Sequence, residues 1–220
     1  MKRLFISRQL SAASAFHSLD SKCWKITDKA LITINSIEFK DEPETSWIFF
    51  YSKNGVNCYF NKRPFSESIK YAVMGPGTAS AFKSRMGTEA DFIGNGDPEP
   101  TALEFQKNCS DESVLFVKAI NSRNSVYNLL PKNIEKYALD VYENRPLDCF
   151  ELESCDCLIF TSPLNAKAYF SKYPYNQEVV LSIGATTAHY IIDKYGICSE
   201  MPDEASEKGL FDLFVKKLKI

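Results

Sequence analysis

Histidine is nearly absent from this chain: 220 residues hold only His17 and His189, far apart in sequence. A histidine-built metal centre has no support, and Cys155, Asp156, Cys157 has no second cysteine pair at zinc spacing. Those cysteines read as small apolar residues at a strand start. The seven cysteines are too irregularly spaced for a disulfide framework, which points to a reducing cytoplasm. Neither charge dominates, since 26 Lys+Arg against 28 Asp+Glu leave a net charge of −2. The basic residues form no stripe interleaved with aromatics, so nucleic acid is not an expected partner. No run approaches the roughly 18 apolar residues that a membrane span needs. Met1, Lys2 and Arg3 lead into a short apolar stretch, but Ser7, Arg8 and Gln9 break it too early for a secretory signal. Nucleotide and hydrolase signatures are missing too: Gly75, Pro76, Gly77 lacks the third glycine of the dinucleotide motif, and there is no GxxxxGK[ST], no GxSxG elbow and no Ser-His-Asp signature.

What is present is a duplication. IFFYSKNGVNCYF (Ile48–Phe60) matches LIFTSPLNAKAYF (Leu158–Phe170), and YAVMGPGTASAFKSRMG (Tyr71–Gly87) matches VLSIGATTAHYIIDKYG (Val180–Gly196). Ser52 and Ser162 are 110 positions apart, while Gly75/Gly184 and Gly87/Gly196 are each 109 apart. In both copies an apolar run of about five residues ends at Ser or Gly and a helical pattern begins at once, as when a buried parallel strand feeds a helix. The repeated unit is βαβα, and its period suits two similar domains rather than a solenoid. With 45% apolar and 25% charged residues the chain can bury one ordinary core or two small ones.

Around these copies the pattern predicts a strand at Leu4–Ser7, a helix at Gln9–Leu19 and a strand at Ser113–Lys118. It also predicts a helix at Ser122–Leu130 capped by Ser122. Ile32–Phe39 and Tyr137–Tyr142 alternate apolar and polar residues, which reads as exposed strands rather than buried parallel ones. Asn144, Arg145 and Pro146 mark a turn, and Gly94–Pro98 a loop leading to a helix at Thr101–Asn108. Ala205–Leu218 is its counterpart in the second copy. Leu4–Leu19 precedes the first copy as Ser113–Leu130 precedes the second.

Four strand-to-helix corners carry the chemistry: Ser52–Gly55, Gly75–Thr78, Ser162–Asn165 and Gly184–Thr187. Each sets hydroxyls or glycine backbone at a helix N-terminus, where unpaired N–H groups and the dipole attract anions. In an open α/β sheet such corners line the ligand crevice. Helix capping alone explains any one of them. Four on two domains suit a ligand bearing several carboxylates or phosphates.

These residues resemble the uroporphyrinogen-III synthase family over nearly the whole chain. Its FTSxNxV corner is similar to Phe50–Val56, its vGxxTAxxlxxxG segment to Met74–Gly87, and its DxxxFTSP corner to Asp156–Pro163. Its aIGxTTAxxlxxxG segment is similar to Ser182–Gly196, and its vY pair to Val141 and Tyr142. Tyr51 stands where that family usually has Thr, Glu143, Asn144 and Arg145 depart from its usual residues, and no Pro follows Arg8.

The resemblance implies an α/β fold of two similar parallel-sheet domains joined by a two-stranded antiparallel ladder. One domain is discontinuous, residues 1–35 with 148–220, enclosing a second at 36–147; the linker strands fall at about 32–39 and 137–146. It implies cyclisation of hydroxymethylbilane with inversion of its last pyrrole ring, without cofactor or metal. It also implies a cytoplasmic monomer, with substrate passed on from hydroxymethylbilane synthase. Tyr142 is then the acid that helps the hydroxyl leave, the alternative being a ladder tyrosine packed on a domain face. Ser52, Thr78, Ser162, Thr186 and Thr187 would hold carboxylates, with Lys118 and Arg8 as charge partners, and His189 on a helix surface. The competing reading is a non-catalytic two-domain protein that binds an anionic small molecule on the same fold.

Overall fold

The apolar runs become short strands, and the segments after their polar ends become helices. A computed structural model describes residues 1–40 and 42–218. In chain order the elements are β1 (Lys2–Ile6), β2 (Trp24–Asp28), β3 (Ile32–Ser36), β4 (Trp47–Phe50), α1 (Lys53–Phe60), β5 (Lys70–Val73), α2 (Pro76–Met86), β6 (Phe92–Ile93), α3 (Pro98–Asn108), β7 (Val114–Ala119), α4 (Ser125–Leu129), β8 (Lys136–Pro146), β9 (Cys157–Phe160), α5 (Pro163–Phe170), β10 (Val179–Ser182), α6 (Ala185–Tyr195) and α7 (Glu207–Leu218). Two compact units result, Met1–Thr33 with Arg145–Ile220, and Ile34–Asn144. No helix among the described residues is long and apolar enough to cross a membrane.

The first unit is built on a four-stranded sheet in the order β10-β9-β1-β2, with every pairing parallel. Strands covered on both faces are apolar at successive positions. Phe5, Leu158 and Phe160 pack on one face, and Leu4, Ile6, Cys157 and Ile159 on the other with Trp24 and Phe214. The helix expected at Gln9–Leu19 is instead a loop with a single 3₁₀ turn, Ala15–Ser18. Asp28, eighteen residues on, holds the Leu10 amide at 2.9 Å, and Ser14 in the middle of the segment caps the short turn instead of continuing a helix.

In the second unit the sheet order is β3-β8-β7-β4-β5-β6. Trp47 and Phe49 of β4 face a cluster with Phe105, Phe116 and Val126, while Ile48 and Phe50 face Val56, Phe60, Tyr71 and Phe82. Burying one such Phe contributes about 1.5–3 kcal/mol. β7 pairs with β4, and β1 with β9. The strand that precedes each repeat copy therefore joins the sheet of the other copy, which makes the first unit discontinuous.

β8 departs from its sequence pattern in two ways. It pairs in parallel with β7, so it is not an exposed strand, and Val141 and Tyr142 are buried. It runs through Asn144, Arg145 and Pro146, where a turn was expected; Pro146 closes the strand, the position at which a missing N–H does least harm. The backbone bonds from Ile37 to Val141 and from Leu147 to Leu31 fall in opposite order along the chain, so β3 and β8 run antiparallel. Ser122 does not cap a helix: α4 starts later, behind Asn124 in the left-handed region at φ 53°.

Candidate functional site

Two pairs of corners start helices by the same local chemistry. Ser52 and Ser162 are extended, and each Oγ accepts from the amide three residues on, Gly55 at 3.1 Å and Asn165 at 3.2 Å. α2 and α6 begin on extended Gly75 and Gly184 with no side-chain cap, which leaves first-turn amides for an anion, and both end on left-handed glycines, Gly87 and Gly196.

The serine corners part beyond the cap. Ser162 Oγ also accepts from Asn165 Nδ2 at 2.9 Å, while Asn165 Oδ1 accepts the Leu31 amide at 2.7 Å. Gly55 stands at the position of Asn165 and has no side chain to offer. There Ser52 Oγ lies 2.8 Å from the hydroxyl of Tyr142.

A break in register brings Tyr142 to that place. Lys118 is opposite Asp140 but Ala119 is opposite Tyr142, so Val141 is an extra residue in β8. Such a bulge re-aims the side chain that follows it. Tyr137, Leu139 and Val141 pack on the cluster under α1, and strict alternation would send Tyr142 to the opposite face. The bulge instead puts Val141 and Tyr142 in that same cluster, beside Val56 and Cys58. Burial pushes the Tyr142 phenol above its ordinary 10.0, opposed by hydrogen bonds from Ser52 and Asn144. At neutral pH it is protonated.

Ser52 also lines a pocket of about 380 Å³ with Tyr51, Lys53, Gly75, Gly77, Thr78 and Gly96. Thr78 is buried against it. Gly75 must lack a side chain here, because a Cβ would meet Gly96 Cα at 2.9 Å. Lys53, the first residue of α1, is an exposed cation on this rim and was not among the expected ligands. Its signal was present, since it follows the capping serine directly. Tyr51 is spent elsewhere: its hydroxyl accepts the Tyr127 amide at 2.9 Å, and burial raises its pKa to about 12. Larger pockets exist against α7 and between α3 and α4, but neither includes a corner residue.

In the first unit Thr187 is buried and Thr186 exposed on the opening turn of α6, and His189 is exposed. Thr161, at the position of Tyr51, donates from Oγ1 to the Ser7 carbonyl at 3.1 Å and ties β9 to β1. The two expected charge partners already have protein partners. Lys118 is buried with Nζ 2.6 Å from Asp140, and exposed Arg8 lies 3.8 Å from Glu207. The structure thus brings Ser52, Tyr142 and Thr78 into one unit with a pocket, and Ser162, Thr186, Thr187 and Arg8 into the other, with Lys118 on the sheet of the former.

Known proteins resemble this chain over most of its length. A relative from Methanocaldococcus jannaschii, a putative uroporphyrinogen-III synthase, is 29% identical over 189 residues, covering 76% of this chain and 77% of its own. The crystal structure of uroporphyrinogen-III synthetase from Helicobacter pylori has the same fold, with a TM-score of 0.75 at 21% identity over 98% of this chain and 99% of that one. A mutant uroporphyrinogen III synthase from Thermus thermophilus superposes with a TM-score of 0.57 at 13% identity over the full length of both chains. The family described as uroporphyrinogen-III synthase HemD matches residues 26–212, and this chain belongs to it.

Proposed function

We propose that this protein closes linear hydroxymethylbilane into uroporphyrinogen III, with loss of water and inversion of ring D. The pyrrole nitrogen's electron pair expels the hydroxymethyl hydroxyl, which takes up a proton and departs as water, leaving an electrophilic azafulvene. Attack at the substituted carbon of the terminal pyrrole gives a spiro intermediate, and fragmentation with recombination delivers the inverted ring. The bilane also cyclises unaided, to the uninverted type I isomer. Most of the protein's work is therefore to hold one folded geometry, an orientation term worth roughly 7–11 kcal/mol in favourable systems.

In this reading Tyr142 donates to the departing hydroxyl, and Thr78, Ser162, Thr186 and Thr187 with nearby first-turn amides hold substrate carboxylates. Arg8 and Lys118, paired with Glu207 and Asp140, would meet a carboxylate only by leaving those partners. The observation that supports the reading most is the 2.8 Å pair of Ser52 and Tyr142, whose serine is also part of a pocket lined by a helix N-terminus, in a chain of this family. A substrate that decays unaided to the wrong isomer favours direct passage from hydroxymethylbilane synthase in the cytoplasm. The test is to incubate the protein with freshly generated hydroxymethylbilane, oxidise, and separate the isomers. Type III should predominate; an unchanged type I mixture at stoichiometric protein would leave an anion-binding protein without this chemistry.

A further inference from the structure

We infer that Ser52 is a positioning residue for Tyr142 rather than a carboxylate ligand: it donates to the phenol oxygen and so leaves the phenol hydrogen for the substrate. The inference deepens the proposed function and rests on it.

The hydroxyl of a serine has one hydrogen and two acceptor sites. The Gly55 amide takes one acceptor site of Ser52 at 3.1 Å, at the start of an eight-residue helix. A hydroxyl that accepts from an amide becomes a stronger donor, since hydrogen bonds in series polarise one another. Tyr142 Oη lies 2.8 Å away, and the Asn144 side chain also bonds this phenol. With Ser52 and Asn144 both supplying hydrogens, the acceptor sites of the phenol oxygen are filled. Its own hydrogen is the group left unspent.

The other half of the molecule shows that this arrangement is not a by-product of capping. Ser162 caps α5 with nearly the same backbone, φ −163° against −157°, yet both its acceptor sites are taken by Asn165, through N and Nδ2. Its hydroxyl hydrogen remains for a ligand. Gly55 in place of Asn165 and the extra residue Val141 together free Ser52 to meet Tyr142. A serine held in this way acts on the rate through the phenol and scarcely on affinity.

Ser52→Gly tests this well, because glycine caps a helix almost as well as serine, at a cost of only a few tenths of a kcal/mol against serine, while the hydroxyl beside Tyr142 is lost. With circular dichroism and melting temperature matched to the parent, kcat for isomer III should fall about tenfold or more and KM should stay within about twofold. Ser52→Thr, which keeps the hydroxyl, should recover most of the rate. The double variant with Tyr142→Phe should be no slower than Tyr142→Phe alone within about twofold, since Ser52 acts through that phenol. A rise in KM at constant kcat, or a double variant slower by the product of the two single effects, overturns the inference alone. A parent protein that makes only isomer I overturns the functional reading, and this inference with it.

Discussion

The corners that begin at Ser52 and Ser162 descend from one repeated sequence and have nearly superposable caps, yet their serine hydroxyls serve different partners. At Ser162 the partner is Asn165, which in turn holds the Leu31 amide, so the corner stabilises its own unit. At Ser52 the partner is the phenol of Tyr142, ninety residues away in sequence. The same contrast recurs one residue earlier, where Thr161 ties two strands together and Tyr51 reaches across to α4. A duplicated scaffold has thus kept its backbone chemistry in both copies, while side chains three residues along and one strand away changed what each corner does.

If the shared part is truly shared, the largest effects should be equal in the two halves. Phe50 and Phe160 occupy equivalent positions and are both fully buried. Each Phe→Ala change should destabilise by about 3–5 kcal/mol in denaturant titration; a clear inequality would break the equivalence of the two cores. A sharper contrast is expected at the glycine corners. Gly75→Ala forces a Cβ to within 2.9 Å of Gly96 Cα, whereas the nearest neighbour of a Cβ at Gly184 is Ala205 at 3.5 Å. Overpacking of the first kind costs about 1–3 kcal/mol, so the Gly75 variant should melt measurably lower and bind product more weakly, and the Gly184 variant should match the parent.

The smallest difference concerns the threonines. Thr78→Val and Thr187→Val each remove one hydroxyl at nearly constant volume, and each should cost on the order of 1 kcal/mol, or about fivefold in KM. Complete inactivation by either change in a folded protein would mean that one unit carries recognition alone. The pH profile sharpens the comparison on the tyrosine side. Because burial raises the Tyr142 phenol, the donor stays protonated below the ordinary 10.0 and is lost only as pH rises beyond it. kcat should therefore show no loss attributable to this group between neutrality and about pH 10, and Tyr142→Phe should leave the profile in that range unchanged in shape.

Much of this architecture is legible in the amino-acid sequence. The duplication announced two α/β sheets, and the Ser and Gly corners announced where helices would start, because strand burial and capping are local and leave a local trace. What stayed hidden depends on contacts distant in sequence. Gln9–Leu19 carries a helical spacing, yet its Leu10 amide goes to Asp28. The alternation of Tyr137, Leu139 and Val141 predicts the wrong face for Tyr142, because nothing in the run betrays the bulge opposite Lys118 and Ala119. Lys118 looked free to meet an anion, and only the facing register with Asp140 shows its charge engaged.

The account turns on a single phenol hydrogen, and Tyr142→Phe removes it while keeping the ring. With folding matched by circular dichroism and melting temperature, single-turnover conversion of hydroxymethylbilane to isomer III should slow by about a hundredfold or more, as loss of a positioned acid does. A rate within threefold of the parent would contradict it, and would leave Tyr142 as a packed residue of the sheet, between β3 and β7, with the departing hydroxyl assisted by water or backbone groups.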